Sequence, residues 1–371
     1  NSNRRIWERN PYFWKVDQEG NQLPYLDSIE CEILSDIEVL NGQLMSGDLD
    51  FGGFYTDIRN YPMLKENEKK SGIKVILWES GNANTVVYKF NQTHKDPVLR
   101  EIFQDVRFRK AMSLAINRQQ INEAIFFGKA EPMQHTAFYT TTFYVPEYAK
   151  SFVEYDPEKA NQLLDEMGLD KRDSEGFRLG PDGNRISFTV LVVPQETPKI
   201  PNAELVVEHW QDVGIDARMR VVSRNLNETR RDGNECDIGL WHGDFATDIL
   251  FHNNAGSMVW GTRQYQHKGP LWSSWLYTDG EVGEEPPEKI KQIFKWHTAR
   301  LTEPDDEKRK ELAQKILKEQ AENLWIIGTV GKTPYPIVVN ANLRNVPQEG
   351  YWSWDSLWMT TRHPSQWFLA N

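Results

Sequence analysis

The chain has 371 residues, a formal net charge of −11 and 14 tryptophans. A chain of this length usually forms two or more domains, and its acidic balance disfavours nucleic-acid binding, which needs a basic surface. No apolar run reaches the length of about 18 residues that a membrane-spanning helix requires. The two cysteines, Cys31 and Cys236, either form a disulfide in an oxidising compartment or remain separate thiols, and the sequence leaves both alternatives open.

The first part of the chain alternates predicted strands and helices. Strands are predicted at residues 28–34 and 74–78, with a short helix at 36–47 between them. A run of β-branched and aromatic residues predicts a further strand at 84–91. Apolar residues at helical spacing then predict one long helix over residues 105–127.

The middle of the chain predicts a βαβ unit. Asp156 followed by Pro157 is a strong helix start, because an acidic N-cap precedes a proline at the first helical position. Downstream, a strand at 186–193, a helix at 202–213 and a strand at 215–222 predict two parallel strands with a right-handed crossover.

A third strand, predicted at 235–241, leads directly to a group of polar residues. It delivers His242, Gly243 and Asp244 to its carboxyl end. Ligands of open α/β sheets bind outside the carboxyl ends of the strands. This position is therefore the first candidate for a binding site.

The remaining elements combine long connections with amphipathic helices. Residues 224–235 and 253–287 are polar or rich in glycine and proline, which indicates connecting segments. Two helices are predicted next, at residues 288–301 and 305–324. Two strands follow, at 325–330 and 334–339, and a turn at Gly331 joins them. Trp352 and Trp354 are two apart, so on a strand they share one face, and packing on the first domain is the main interpretation.

Clustered tryptophans favour a ligand-binding surface. An indole offers a flat apolar face and one N–H donor, which suits a sugar ring, an aromatic group or the face of a peptide. The connection at 253–287 contains Trp260, Trp272 and Trp275. Packing in the core is the alternative for each of them, as it is for Trp241.

The sequence contains no convincing catalytic constellation. It lacks a glycine-rich phosphate loop, a Gly-x-Ser-x-Gly elbow and a His-Glu-x-x-His pair, so neither catalytic residues, nor a metal, nor a cofactor are predicted. Asp244 and Asp248 could form a carboxylate pair of the glycosidase type. The favoured alternative is one aspartate that orients a ligand and one that caps a helix.

Short segments in a fixed order resemble a known family. They are NPYFW at 10–14, PYLDSI at 24–29, SGDLD at 46–50, DVRFRKA at 105–111, AINR at 115–118, YDPEKA at 155–160 and DVGID at 212–216. Together they resemble the family 5 extracellular solute-binding proteins of ABC importers, of the dipeptide and oligopeptide-binding type. Asn117 stands where the family usually has aspartate.

The resemblance implies an α/β, two-lobed periplasmic-binding-protein-like fold (type II, cluster C) with mixed sheets flanked by helices. The implied domains are the later part of domain I at residues 1–84, a second ligand-binding lobe at 85–331 and a return segment to domain I at 332–371. Family members carry further sequence ahead of the NPYFW segment, which we expect to be absent from this chain.

The resemblance also implies a function. The chain is expected to capture a peptide in a cleft between two lobes and deliver it to a membrane permease, in the periplasm or outside the cell, without a cofactor. Membrane association is expected only through the permease or a lipid anchor absent from this chain. Asp244 stands where peptide-binding members place an aspartate that pairs with the α-ammonium of the ligand.

The predicted ligand-binding residues combine this aspartate with nearby aromatic residues. They are Trp241, Asp244, Phe245, Trp260, Trp272 and Trp275. One alternative is an oligosaccharide-binding member of the same family that stacks sugars on tryptophan. Another is a glycan-acting enzyme with a carboxylate pair, and a third is a structural or chaperone-like member with a degenerate cleft.

Overall fold

The computed structural model describes residues 4–34, 36–194, 198–354 and 356–370. The chain divides into two compact units: unit 1 contains Asn1–Gly81 and Pro334–Asn371, and unit 2 contains Asn82–Thr333. Unit 2 is therefore a continuous segment inserted into unit 1. No helix in the described part of the chain is long and apolar enough to cross a membrane.

The amino-terminal part of unit 1 contains short strands and two capped helices. The elements are β1 (Arg4–Glu8), β2 (Ser28–Glu32), α1 (Ile37–Ser46), β3 (Phe51–Gly52), α2 (Tyr61–Ser71) and β4 (Ile73–Ser80). The predicted helix at 36–47 is confirmed: the Asp36 side chain accepts the Glu38 N–H, and Gly47 ends the helix in a left-handed conformation.

The main sheet of unit 2 is mixed. The strands of this unit are β5 (Asn84–Phe90), β6 (Glu131–Pro132), β7 (Ser187–Val192), β8 (Asp216–Val221), β9 (Ile238–Gly243), β10 (Ile327–Gly328) and β11 (Val330–Gly331). The main sheet has the order β10-β5-β9-β7-β8. β7 runs parallel to β8, which confirms the predicted parallel pair. β7 also runs parallel to β9, whereas β5 runs antiparallel to β9.

The helices of unit 2 flank this sheet and fill the rest of the unit. They are α3 (Pro97–Gln104), α4 (Val106–Leu114), α5 (Arg118–Phe126), α6 (Pro157–Glu166), α7 (Lys199–Asp212), α8 (Arg224–Asp232), α9 (Asp248–Asn254), α10 (Pro270–Tyr277), α11 (Glu288–Thr302) and α12 (Asp306–Asn323). α7 supplies the predicted crossover between the two parallel strands.

Three predictions for unit 2 were wrong. The single helix expected at 105–127 is two helices, because the Asn117 side chain caps α5 by accepting the Gln120 N–H. The connection expected at 224–235 contains α8, which Ser223 caps. The connection expected at 253–287 contains α10, which begins at Pro270.

The carboxyl-terminal segment returns to unit 1 as β12 (Pro334–Asn340), β13 (Leu343–Arg344), β14 (Tyr351–Trp352) and β15 (Phe368–Leu369). The turn expected at Gly331 was wrong, because Gly331 lies in the strand β11 and β12 begins at Pro334. The shared face expected for Trp352 and Trp354 was also wrong. β14 ends at Trp352, which is buried, whereas Trp354 is 48% exposed.

Candidate functional site

The candidate site begins where β9 ends. β9 lies between β5 and β7 in the middle of the main sheet, and it runs to Gly243, two residues further than predicted. Glycine is required there because a Cβ would lie only 2.5 Å from Nδ1 of His135. After Asp244, Phe245 adopts a left-handed backbone with φ 56°, and the chain continues to α9.

Asp244 is a buried carboxylate with cationic neighbours. Its side chain lies 3.3 Å from Nε2 of His242, measured to Oδ2, and the residue is 8% exposed. Burial raises the pKa of the Asp244 carboxyl, but His242, Lys89 and Arg263 together outweigh burial and hold this pKa below its usual value. Asp244 is therefore ionised at neutral pH in a poorly solvated position.

Trp241 lies in β9 next to His242, and its ring contacts cationic side chains. The Trp241 ring also contacts the imidazole of His242, with ring centroids 5.1 Å apart. The half-buried indole packs against a small apolar cluster. Lys199 Nζ lies 4.0 Å from the ring centroid, and the Arg224 guanidinium lies 5.2 Å from it.

Phe245 is also half-buried and also contacts a cation. The guanidinium of Arg263 lies 4.8 Å from the centroid of its ring. Arg263 itself is exposed, and its charge lowers the pKa of the Asp244 carboxyl. Arg263 therefore contacts the Phe245 ring and also adds positive charge to the surroundings of Asp244.

The other three tryptophans pack within unit 2. Trp260 is fully buried and Trp272 is 7% exposed, while Trp275 is half-buried against the same apolar cluster. The Trp260 ring meets that of Trp325 edge to face, with centroids 4.9 Å apart. Trp260 and Trp272 thus present almost no surface to a ligand in this structure, and their binding role stays a prediction.

Two lysines that the sequence analysis did not single out lie close to Asp244 or to Trp260. Lys89 is on β5 and is 6% exposed, and its charge acts on Asp244. Lys268 is fully buried, with Nζ 3.9 Å from the centroid of the Trp260 ring. A signal for Lys89 was present in the sequence, since it is the one charged residue of the strand NTVVYKF.

Asp248 has surroundings different from those of Asp244. It is exposed in the first turn of α9, and its carboxylate accepts hydrogen bonds from the backbone N–H and the hydroxyl of Thr142, at 3.2 and 2.8 Å. Thr247, rather than Asp248, is the N-cap residue of α9.

The described residues contain no group of three or more side chains suited to a metal ion. Cys31 is exposed and Cys236 is buried, and both are free thiols in this structure. Burial raises the pKa of the Cys236 thiol to about 12. Cys236 is therefore a protonated, inert thiol at neutral pH.

Comparison with known proteins gives a consistent result. The model of the bacterial extracellular solute-binding proteins, family 5 Middle, matches residues 2–264. The periplasmic alpha-galactoside-binding protein of Rhizobium meliloti (strain 1021) is 28% identical over 368 residues, which cover 92% of this chain and 50% of the relative. The dipeptide-binding protein of Escherichia coli (strain K12) is 26% identical over 318 residues, which cover 82% of this chain and 50% of the relative.

A solved structure extends the comparison to the fold. The oligopeptide-binding protein OppA is 34% identical and superposes with a TM-score of 0.73 over 100% of this chain and 60% of its own. This likeness confirms the predicted α/β fold of the periplasmic-binding-protein type. The chain spans half the length of the two curated relatives.

Proposed function

We propose that this chain, which belongs to the family 5 bacterial extracellular solute-binding proteins, captures a peptide and delivers it to the membrane permease of an ABC importer. Two of the similar proteins above are named for dipeptide or oligopeptide binding. We place its action in the periplasm or at the outer face of the cell envelope. Since the family consists of solute-binding proteins, we propose that the chain catalyses no reaction.

The observation that carries the peptide proposal is the state of Asp244. A carboxylate that is ionised although it is 8% exposed attracts a cation more strongly than a solvated one, because little water screens it. The α-ammonium of a peptide supplies such a cation together with three N–H donors. Charge-assisted hydrogen bonds of this kind are among the strongest in proteins.

The aromatic residues divide into two proposed roles. We assign Trp241 and Phe245, both half-buried and adjacent in sequence to the Asp244 segment, to direct ligand contact. Trp260, Trp272 and Trp275 belong to the apolar cluster of unit 2, and we assign them to support of the site from the core. Substitution of a core tryptophan is then expected to lower stability as well as affinity.

The proposal is tested by titrating the chain with two versions of one library of short peptides. One version has free N-termini, the other has acetylated N-termini, and binding is followed by calorimetry and tryptophan fluorescence. Saturable binding of the free library, lost on acetylation, is the expected result. Equal affinity for both versions would remove the role of Asp244, and failure of both to bind would refute peptide capture by this chain.

Oligosaccharide capture is the second candidate. It is favoured by the periplasmic alpha-galactoside-binding protein of Rhizobium meliloti, whose match covers 92% of this chain. Asp244 could accept a hydrogen bond from a sugar hydroxyl, and Trp241 or Phe245 could stack on a ring. A saturable fluorescence change with a mixed oligosaccharide pool, and none with peptides, would select this candidate.

The enzyme alternative makes a different prediction. A glycan-acting enzyme would release shortened products from the oligosaccharide pool, and this turnover would disappear in the Asp244→Asn variant. We expect no product at any incubation time. The separate surroundings of Asp244 and Asp248, one beside His242 and the other bonded to Thr142, support this expectation.

A further inference from the structure

The ribbon formed by β1 and β2 in unit 1 is exposed to solvent. The two strands pair antiparallel over five residues each, and in the described part of the chain no further strand joins them. All ten of their side chains are exposed, among them Ile6 at 56% and Trp7 at 50%. A two-stranded ribbon is only marginally stable in water, so a third strand at either edge would stabilise it.

The outer edge of β1 presents the backbone groups of alternate residues. The Arg9 N–H donates a hydrogen bond to the Asp27 carbonyl, which continues the register of the ribbon by one pair. Antiparallel strands alternate between hydrogen-bonded pairs and pairs without hydrogen bonds. The N–H and C=O groups of Arg4, Ile6 and Glu8 therefore point away from β2, toward the outer edge of the ribbon.

The sequence of β1, RRIWE, is complementary to itself in one antiparallel register. With Ile6 opposite Ile6 of a second copy, Arg4 lies opposite Glu8 of that copy, so opposite charges meet. In the same register Arg5 lies opposite Trp7, which places a guanidinium beside an indole, a favourable cation–π partner. This register makes the two Ile6 residues a hydrogen-bonded pair, in agreement with the outward direction of their backbone groups.

The outer edge of β2 does not have this property. Its sequence, SIECE, contains two glutamates and no basic residue. A self-pairing centred on Glu30 would place that carboxylate opposite itself, and like charges directly opposite each other destabilise a sheet. Charged residues on an edge strand commonly protect it from pairing with another chain. Of the two edges of the ribbon, that of β1 is therefore the one that suits a second copy.

We propose that two copies of this chain associate edge to edge through β1 and form one antiparallel sheet with the strand order β2-β1-β1-β2. Glu8 pairs with Arg4 of the other copy, whose guanidinium has five N–H donors and also keeps its ion pair with Glu30 of its own chain. The Ile6 side chains of both copies pack at the two-fold axis. A contact of this symmetry uses the same surface on both copies, so it closes at a dimer.

The test uses the whole chain and two charge-reversal variants, compared by sedimentation velocity. Arg4→Glu makes both ends of β1 acidic, and Glu8→Arg makes both ends basic. Each variant alone is expected to dimerise about tenfold or more weakly than the wild type, because both cross-strand ion pairs become contacts between like charges. An equimolar mixture of the two should restore the dimer, since each chain then meets opposite charges at both positions. The control Lys315→Glu, at an exposed position of α12, should match the wild type.

A spin label on Cys31 tests where the two copies meet. Cys31 is exposed and lies opposite Arg5 of its own chain, whereas Cys236 is buried, so the label attaches to Cys31 in the native protein. In the proposed sheet the two Cys31 Cα atoms are separated by three strand spacings and offset by two residues, which gives a distance of roughly 16 Å. Dipolar coupling measured by electron paramagnetic resonance should report this distance in the wild type.

Three results would overturn the proposal. The first is a wild type that stays monomeric at every accessible concentration, and the second is a mixture that dimerises as weakly as its two components. The third is a dimer whose label distance is twice the expected value or more, because its contact would then lie elsewhere on the chain. Recovery of the dimer on mixing also excludes misfolding as the cause of the loss, since a misfolded β1 would not pair in the mixture either.

Discussion

Replacing Asp244 with asparagine changes the charge of the candidate site with little change in its shape. The carboxylate is 8% exposed and its pKa is held below the usual value, so the wild type carries a full negative charge there at pH 7. Removing one partner of a desolvated, hydrogen-bonded charge pair costs about 2–5 kcal/mol in binding. At about 1.4 kcal/mol for each factor of ten, Asp244→Asn should weaken peptide binding by roughly 30- to 4000-fold.

The assay is calorimetric titration with the free-N-terminus library at pH 7, run beside Asp248→Asn. The control removes the same charge four positions later, from an exposed carboxylate bonded to Thr142, and should leave affinity within about twofold. In thermal unfolding curves, both variants should show the same folded baseline as the wild type near room temperature. An Asp244→Asn affinity within threefold of the wild type, or an equal loss in Asp248→Asn, would refute the reasoning.

Three further outcomes concern the fold. Arg118→Met should lower the free energy of unfolding by about 3 kcal/mol or more, because the buried guanidinium donates to three backbone carbonyls and a hydroxyl. In the same urea titration, the control Arg107→Met, at a half-buried position, should cost less than about 1 kcal/mol. Burial is the larger cause and neighbouring cations the smaller cause that lower the pKa of His297 to about 4. As the pH falls, the unfolded chain therefore takes up a proton on His297 before the folded chain does. Stability should fall by about 3 kcal/mol from pH 6.5 to 4, and His297→Gln should flatten that slope. A thiol reagent at pH 8 should modify Cys31 in the native chain and reach Cys236 only after denaturation; rapid modification of both would contradict the burial of Cys236.

Elements with local signals could be predicted from the sequence. Asp156 accepts the Lys159 N–H and starts α6 immediately before Pro157, as expected, because a cap needs only residues within one turn. The same reason applies to α1 between Asp36 and Gly47. The parallel pair of β7 and β8 followed from two apolar strands on either side of a helix.

Features that depend on distant partners could not be predicted in the same way. The pairing of β12 with β4 could not be predicted, because β4 lies far away in the chain. A tryptophan such as Trp260 has sequence neighbours of the same polarity whether it lies in a core or in a cleft. The composition of its segment therefore could not distinguish burial from ligand contact. Lys89 and Lys268 both donate hydrogen bonds to Ser257, whose left-handed backbone no local rule for serine predicts.

The insertion of unit 2 into unit 1 also determines the order in which the protein can fold during synthesis. β4 emerges from the ribosome before unit 2, yet its antiparallel partner β12 follows only after the whole of unit 2 has been made. At roughly 5–20 residues per second this delay lasts about 10–50 seconds. Unit 2 can complete its own sheet during that time, whereas Ile76 and Trp78 of β4 wait without the strand that helps to bury them. A chaperone that covers β4 in that interval would protect the nascent chain from aggregation.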